Sequence, residues 1–182
     1  MGYIRILPET GFKTSEWSGG TTTELFLLPA DGSYKDRRFS VRISTALVML
    51  ESSVFTHLPG VKRFITPLCP GFVLKVNGEE KELGYGEVLG FSGDDAVECI
   101  GSGRDLNLML KDADGDMITV SGAFTVGECS HAFLFADREQ TVSFCGDGGN
   151  ACTSAYLPAM SFSEIAPGGY YTGGTAVLFV IN

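Results

Sequence analysis

No stretch of this chain sustains the 3.6-residue apolar period of an amphipathic helix. Gly, Pro, Ser and Thr interrupt it too often, with 24 Gly and 7 Pro among 182 residues. Short runs rich in Val, Ile, Phe, Leu and Thr recur instead between turn residues, the pattern of a sandwich or barrel. Such runs predict strands over 3–7, 23–28, 39–46, 61–68, 72–76, 79–83, 88–91, 97–100 and 105–110. A second set follows over 117–126, 131–135, 140–144, 151–157, 160–165 and 176–181. The fold class read from this pattern is all-β and antiparallel.

Asn77-Gly78 sits between Leu74-Lys75-Val76 and Glu79-Glu80-Lys81 and marks a hairpin, because Asn-Gly tolerates the two positive φ angles of a type I′ turn. Loops are expected over 30–38, 101–104, 112–116, 146–150 and 168–169. The acidic stretch 112–116 is the natural junction between two β modules, residues 1–111 and residues 117–182, with no long linker between them.

The composition narrows the function classes. There are 13 Lys+Arg against 22 Asp+Glu, for a formal charge of -9. A surface this acidic argues against nucleic acid or anionic membrane as partner, since phosphate affinity rests on clustered cations. A hydrophobic content of 44% argues against disorder. The five cysteines (Cys69, Cys99, Cys129, Cys145 and Cys152) are odd in number, widely spaced and free of any C-x-x-C pair, so neither a disulfide framework nor a zinc ribbon is expected. The start, Met1-Gly2-Tyr3-Ile4-Arg5-Ile6, lacks the apolar core of a signal peptide. The expectation is a reduced, cytoplasmic protein.

Four segments carry candidate chemistry. In Phe39-Ser40-Val41-Arg42-Ile43-Ser44-Thr45-Ala46, strand alternation puts Ser40, Arg42 and Ser44 on one face and the apolar residues on the other. An arginine between hydroxyls suits a carboxylate or phosphate, and equally suits a solvated sheet surface. In Asp105-Leu106-Asn107-Leu108-Met109-Leu110, Asp105, Asn107 and Met109 share a face opposite pure Leu, which fits a partly polar cavity. Glu16-Trp17-Ser18-Gly19-Gly20-Thr21-Thr22-Thr23-Glu24 joins the only Trp to a Gly-Gly turn that lets a ligand approach the backbone; a core Trp beside a tight turn reads the same way. Arg63, if it shares a face with Val61 and Ile65, points inward and needs an anionic partner, whether a ligand, Glu24 or Asp105.

In this order the segments resemble the HutD/Ves family. The carrying residues are Trp17-Ser18-Gly19-Gly20-Thr21-Thr22-Thr23-Glu24-Leu25, Phe39 to Ala46 as quoted, Phe55-Thr56-His57-Leu58-Pro59-Gly60-Val61-Lys62-Arg63, and Asp105-Leu106-Asn107-Leu108-Met109. The family's first motif often carries Lys-Asn or Arg-Asn after the Trp; Ser18 stands there, so the role of that Asn does not transfer. The resemblance implies an RmlC-like cupin fold arranged as a bicupin, two jelly-roll modules packed together. It also implies a small-molecule pocket in the first module and an association with histidine utilisation. N-formylglutamate is a ligand proposed for some members. The matching positions are Trp17, Thr21, Thr22, Thr23, Arg42, Ser44, Arg63 and Asn107, with two arginines suited to a dicarboxylate.

Many cupins are metalloenzymes built on two or three His and a Glu. This chain has only His57 and His131, without a neighbouring His or Glu at strand spacing, so no metal and no cofactor are expected. Asp112-Ala113-Asp114-Gly115-Asp116 misplaces the Gly of a calcium loop and lacks its closing Glu. The expected function is a non-catalytic or regulatory binder of a small anionic metabolite, compatible with a homodimer. The alternative is a metal-independent isomerase or lyase in which Glu24, Asp105 or His57 supplies acid–base chemistry.

Overall fold

A computed structural model describes residues 3–145 and 152–182. The loop expected over 146–150 and the first residue of the strand expected over 151–157 lie outside the described residues. The strands in chain order are β1 (Ile4–Ile6), β2 (Lys13–Trp17), β3 (Gly20–Leu28), β4 (Val41–Val48), β5 (Ser52–Val54), β6 (Val61–Pro67), β7 (Phe72–Val76), β8 (Glu79–Leu83), β9 (Leu89–Ser92), β10 (Val97–Ile100), β11 (Gly103–Lys111), β12 (Gly115–Thr125), β13 (His131–Ala136), β14 (Gln140–Cys145), β15 (Cys152–Leu157), β16 (Ser161–Ile165) and β17 (Tyr170–Ile181). Among the described residues the only helical element is a 3-10 turn at Glu9–Gly11. The chain is all-β, as the interrupted apolar pattern requires, and no helix is long and apolar enough to cross a membrane.

Two compact units emerge, one over Gly11–Asp114 and the other over Gly115–Asn182 together with the residues up to Thr10. Sequence order alone assigned the start of the chain to the first module. Instead β1 pairs antiparallel with β16, Arg5 opposite Glu164. So remote a partner leaves no trace in a three-residue strand.

The Gly11–Asp114 unit contains two antiparallel sheets. One has the order β2-β3-β4-β11-β6-β9, the other β5-β10-β7-β8. The β7–β8 hairpin turns at Asn77 and Gly78 with φ 51° and 91°, the positive pair that the Asn-Gly signal demands. Strands β4 and β11 are buried on both faces: Ile43, Leu106 and Leu108 on one, Arg42, Ser44, Asp105, Asn107 and Met109 on the other. On this second face, Val48, Ile65 and Phe91 pack with Phe72, Leu74, Leu83, Val97 and Cys99 of the four-stranded sheet. Phe39, Leu58, Val61 and Met109 form a separate cluster, with Tyr34 and Leu27 against it.

The sheet of the other unit runs β1-β16-β13-β17-β14-β15, with β12 also paired to β17. Its core gathers Leu134, Val142, Leu157, Ile165, Tyr171 and Leu178. Strand β17 starts earlier than the expected 176–181, because Gly173-Gly174 breaks the apolar pattern without ending the pairing to β12. One expectation is corrected here. Cys145 and Cys152 form a disulfide, leaving Cys69, Cys99 and Cys129 free. They are directly opposed in the β14–β15 register, with Cα atoms 4.2 Å apart. Odd count and wide spacing concealed a pair that hairpin register brings together.

Candidate functional site

The inward face of the six-stranded sheet is a grid set by register. Arg42, Ser44 and Ala46 of β4 lie opposite Met109, Asn107 and Asp105 of β11, and Arg63 of β6 lies opposite Met109. On the other side Thr22 of β3 pairs with Ala46, Glu24 with Ser44, and Ser15 of β2 with Thr22. Arg42 and Arg63 are therefore two strands apart, about 10 Å at Cα by ordinary strand spacing. A cavity of about 300 Å³ opens over this grid, and Ser53, Val54, Phe55 and Thr56 also line it.

Six of the eight residues singled out by sequence line this cavity: Trp17, Thr22, Arg42, Ser44, Arg63 and Asn107. Thr21 and Thr23 do not. Period-two alternation sends them to the opposite face, where the Thr23 hydroxyl lies 2.8 Å from that of Thr14. The Gly-Gly turn also serves the chain rather than a ligand. A Cβ at Gly19 would fall 2.0 Å from the Trp17 ring, and one at Gly20 (φ +150°) would fall 1.9 Å from the Leu47 carbonyl oxygen. Trp17 stands at the mouth of the cavity, 39% exposed. His57 is exposed and is not among the lining residues.

The two arginines have different standing. Arg42 Nε donates to Glu24 Oε2 at 3.0 Å, its Nη1 donates to Ser44 Oγ at 3.2 Å, and its guanidinium carbon sits 4.1 Å from the Tyr34 ring centroid. Its charge is balanced within the protein. Arg63, 5% exposed, faces no carboxylate within ion-pair distance among the described residues. Its Nη1 donates to the Thr56 carbonyl at 3.1 Å, and its Nε is buried without any hydrogen-bond partner. The guanidinium carbon lies over the paired rings of Phe55 and Phe91, 4.9 and 5.0 Å from centroids that are themselves 6.0 Å apart. Burial lowers its pKa to about 10, which leaves it charged at neutral pH.

Asp105 faces the same cavity, 2% exposed. Burial pushes its carboxyl up to about 7, although Asn107 Nδ2 donates to its Oδ1 at 2.7 Å and the Ala46 backbone also bonds to it. The Cys99 thiol behind it is raised to about 12, first by burial and then by Asp105, and holds almost no thiolate. Sequence reasoning missed Tyr34, which lies in a stretch recognised only as a loop, and the aromatic pair of Phe55 and Phe91 beside Arg63. For Phe55 the available signal was its place as the first residue of the motif that ends in Arg63.

Comparison with known proteins gives a family and a fold. The sequence profile of the HutD family matches residues 9–157. Over 99% of both chains the structure resembles a conserved protein of unknown function from Pseudomonas aeruginosa PAO1, at 26% identity and a TM-score of 0.76. HutD from Pseudomonas fluorescens SBW25, solved in a formate condition, matches over 99% of this chain and 98% of its own, at 23% identity and a TM-score of 0.76. Bacillus subtilis oxalate decarboxylase, described with Mn(II) centres, shares the fold over 97% of this chain and 76% of its own, at 7% identity and a TM-score of 0.62. No curated protein matches the sequence. The fold is cupin-like. The cavity does not fit the metal of such a neighbour: it presents two guanidinium groups, one carboxyl and no imidazole, and among the described residues no three His, Cys, Asp or Glu come together.

Proposed function

The chain belongs to the HutD family, and we propose that its cavity binds a small anionic metabolite, with Arg63 as the charge that selects it. Family membership supports a link to histidine utilisation, and a carboxylate such as N-formylglutamate is the ligand class in view. One observation carries the reading: a buried, charged guanidinium lines the cavity with its Nε unpartnered and with no carboxylate within ion-pair distance among the described residues. Leaving a charge uncompensated costs several kcal/mol, a cost that a bound anion removes. Trp17, Thr22, Ser44 and Asn107 would shape the remainder of the site. Thr21 and Thr23 have no place in it.

The test is ligand-dependent thermal stabilisation with formate, acetate, glutamate and N-formyl-L-glutamate. A ligand of the native state at a hundred times its Kd adds about 2.7 kcal/mol of stability. Stabilisation by at least one of these anions, lost in Arg63→Met, is expected. Silence across the panel overturns the reading.

A second reading, a metal-independent enzyme acting on the same ligand, draws on Asp105, whose carboxyl near 7 lies in the range of an acid–base catalyst. Turnover of a bound anion that disappears in Asp105→Asn while binding persists would favour it.

A further inference from the structure

Besides Arg63, the cavity holds a second buried ionisable group, Asp105, and its role here rests on the reading of Arg63 as an anion site. The charges facing Asp105 can be taken strand by strand. From β3 and β4, Glu24 and Arg42 cancel through their ion pair, with Tyr34 of the connecting loop stacked on Arg42. From β2, Lys13 lies opposite Glu24 and is exposed, while Ser15 and Trp17 are uncharged. From β6 comes Arg63. Asp105's own strand β11 adds Arg104, whose Nη1 reaches the Thr45 hydroxyl at 3.5 Å, and Asn107, which donates to the carboxyl. Strand β10 adds the neutral Cys99 thiol.

Arg104 is half-buried and outside the cavity lining, where it helps Arg63 to lower the Asp105 carboxyl against the effect of burial; among the lining residues, with Arg42 paired to Glu24, the charges reduce to Arg63 and Asp105. With Asp105 ionised the site is neutral, and an entering anion leaves a net negative charge in a buried space. With Asp105 protonated the site carries one positive charge, which one anion cancels.

We propose that the site takes up its anion together with one proton, held by Asp105 as a neutral carboxyl while the anion lies beside Arg63. The proton comes from solvent to form the Asp105 O–H bond and returns there when the anion leaves; no bond between heavy atoms changes. In the empty protein the carboxyl titrates near 7, so the proton is exchangeable at neutral pH, and a neighbouring anion holds it more firmly. The arrangement also defines the ligand's charge. One singly charged carboxylate head satisfies the interior, since Arg42 is already paired with Glu24. A second carboxylate on the same ligand stays at the mouth, by Trp17 and Val54, which are 39% and 80% exposed.

Calorimetric titration with formate, acetate and N-formyl-L-glutamate at pH 8, in two amine buffers of different ionisation enthalpy, reads the proton directly. The expected result is uptake of close to one proton per anion, with Kd about tenfold weaker at pH 8 than at pH 6, as a carboxyl near 7 requires. Asp105→Asn, which keeps a neutral group in place, is expected to bind with no proton uptake and with the same Kd at both pH values. An anion that binds the wild type without proton uptake and with equal Kd at pH 6 and pH 8 overturns the coupling and leaves anion binding standing. Failure of all three anions to bind the wild type at pH 6 overturns both. The wild-type buffer comparison decides the question alone if the variant does not fold.

Discussion

Replacing Asp105 by Asn should make the ligand-free protein more stable at pH 8 and leave it nearly unchanged at pH 4. The carboxyl is moved from about 3.8 in the unfolded chain to about 7 in the folded one, first by burial. Below pH 4 both states hold the proton and the site costs nothing. Between pH 4 and pH 7 the unfolded chain ionises while the folded chain keeps its proton, so stability falls as pH rises. Above 7 the folded carboxyl also ionises, and the loss levels off. A shift of about three units corresponds to something on the order of 4 kcal/mol.

The amide that replaces the carboxyl in this variant is neutral at every pH, and its oxygen can still accept from Asn107 and from the Ala46 backbone. Any cost of its extra N–H donors is the same at all pH values, so the difference in slope carries the information and the offset does not. In a chain of this length each kcal/mol moves Tm by roughly 2–4 °C, which predicts a gap of roughly 8–16 °C opening between pH 4 and pH 8. Circular dichroism melts of both proteins across that range measure it. Parallel Tm curves for wild type and variant would show that the buried carboxyl is not destabilising, and the charge count of the cavity would be wrong.

Glu24→Gln removes the counter-charge of Arg42 and should cost about 2–4 kcal/mol in chemical denaturation, since the pair is mostly buried; it should also tighten anion binding by freeing a second guanidinium. Unchanged stability together with unchanged Kd would contradict the separate standing of the two arginines. Gly20→Ala places a Cβ 1.9 Å from the Leu47 carbonyl oxygen in a backbone conformation that side chains rarely adopt, so it should lower Tm and disturb the β3–β4 pairing at the cavity mouth. Thiol labelling of the unfolded, unreduced protein should modify three of the five cysteines, with Cys145 and Cys152 labelled only after reduction.

Strand alternation made much of this site legible. Arg42, Asn107 and Met109 are inward-facing because each alternates with residues of the opposite face, and Arg63 is inward because Val61 and Ile65 are. Alternation cannot say which charges meet, because that depends on register between strands. Glu24 reaches Arg42 and not Arg63 in a pairing that shifts at a bulge between Glu24 and Phe26, and no local pattern marks that bulge. The Cys145–Cys152 pair was hidden for the same reason. Strand β2 escaped notice because Lys13-Thr14-Ser15-Glu16-Trp17 is exposed throughout and shows no apolar alternation. Strand β5 is three residues long, too short for any period to register. Tyr34 lies over Arg42 from a loop whose path no periodicity describes.

The Arg42–Glu24 pair supplies the internal standard for interpreting Arg63. It shows how this fold neutralises an inward-facing guanidinium when only stability is served: a carboxylate on the adjoining strand, a hydroxyl two residues on, and a ring over the cation. Arg63 receives two rings and one carbonyl, which soften the burial of its charge without cancelling it. The one carboxyl in the same wall, Asp105, accepts a short hydrogen bond from Asn107 Nδ2 and is pushed by burial toward its neutral form. Were Arg63 a structural residue, an ionised Asp105 turned toward it would be the cheaper arrangement, since an unbalanced buried charge costs more than a paired one. The chain instead holds cation and carboxyl apart around an open cavity, the arrangement expected where a third, exchangeable charge completes the set.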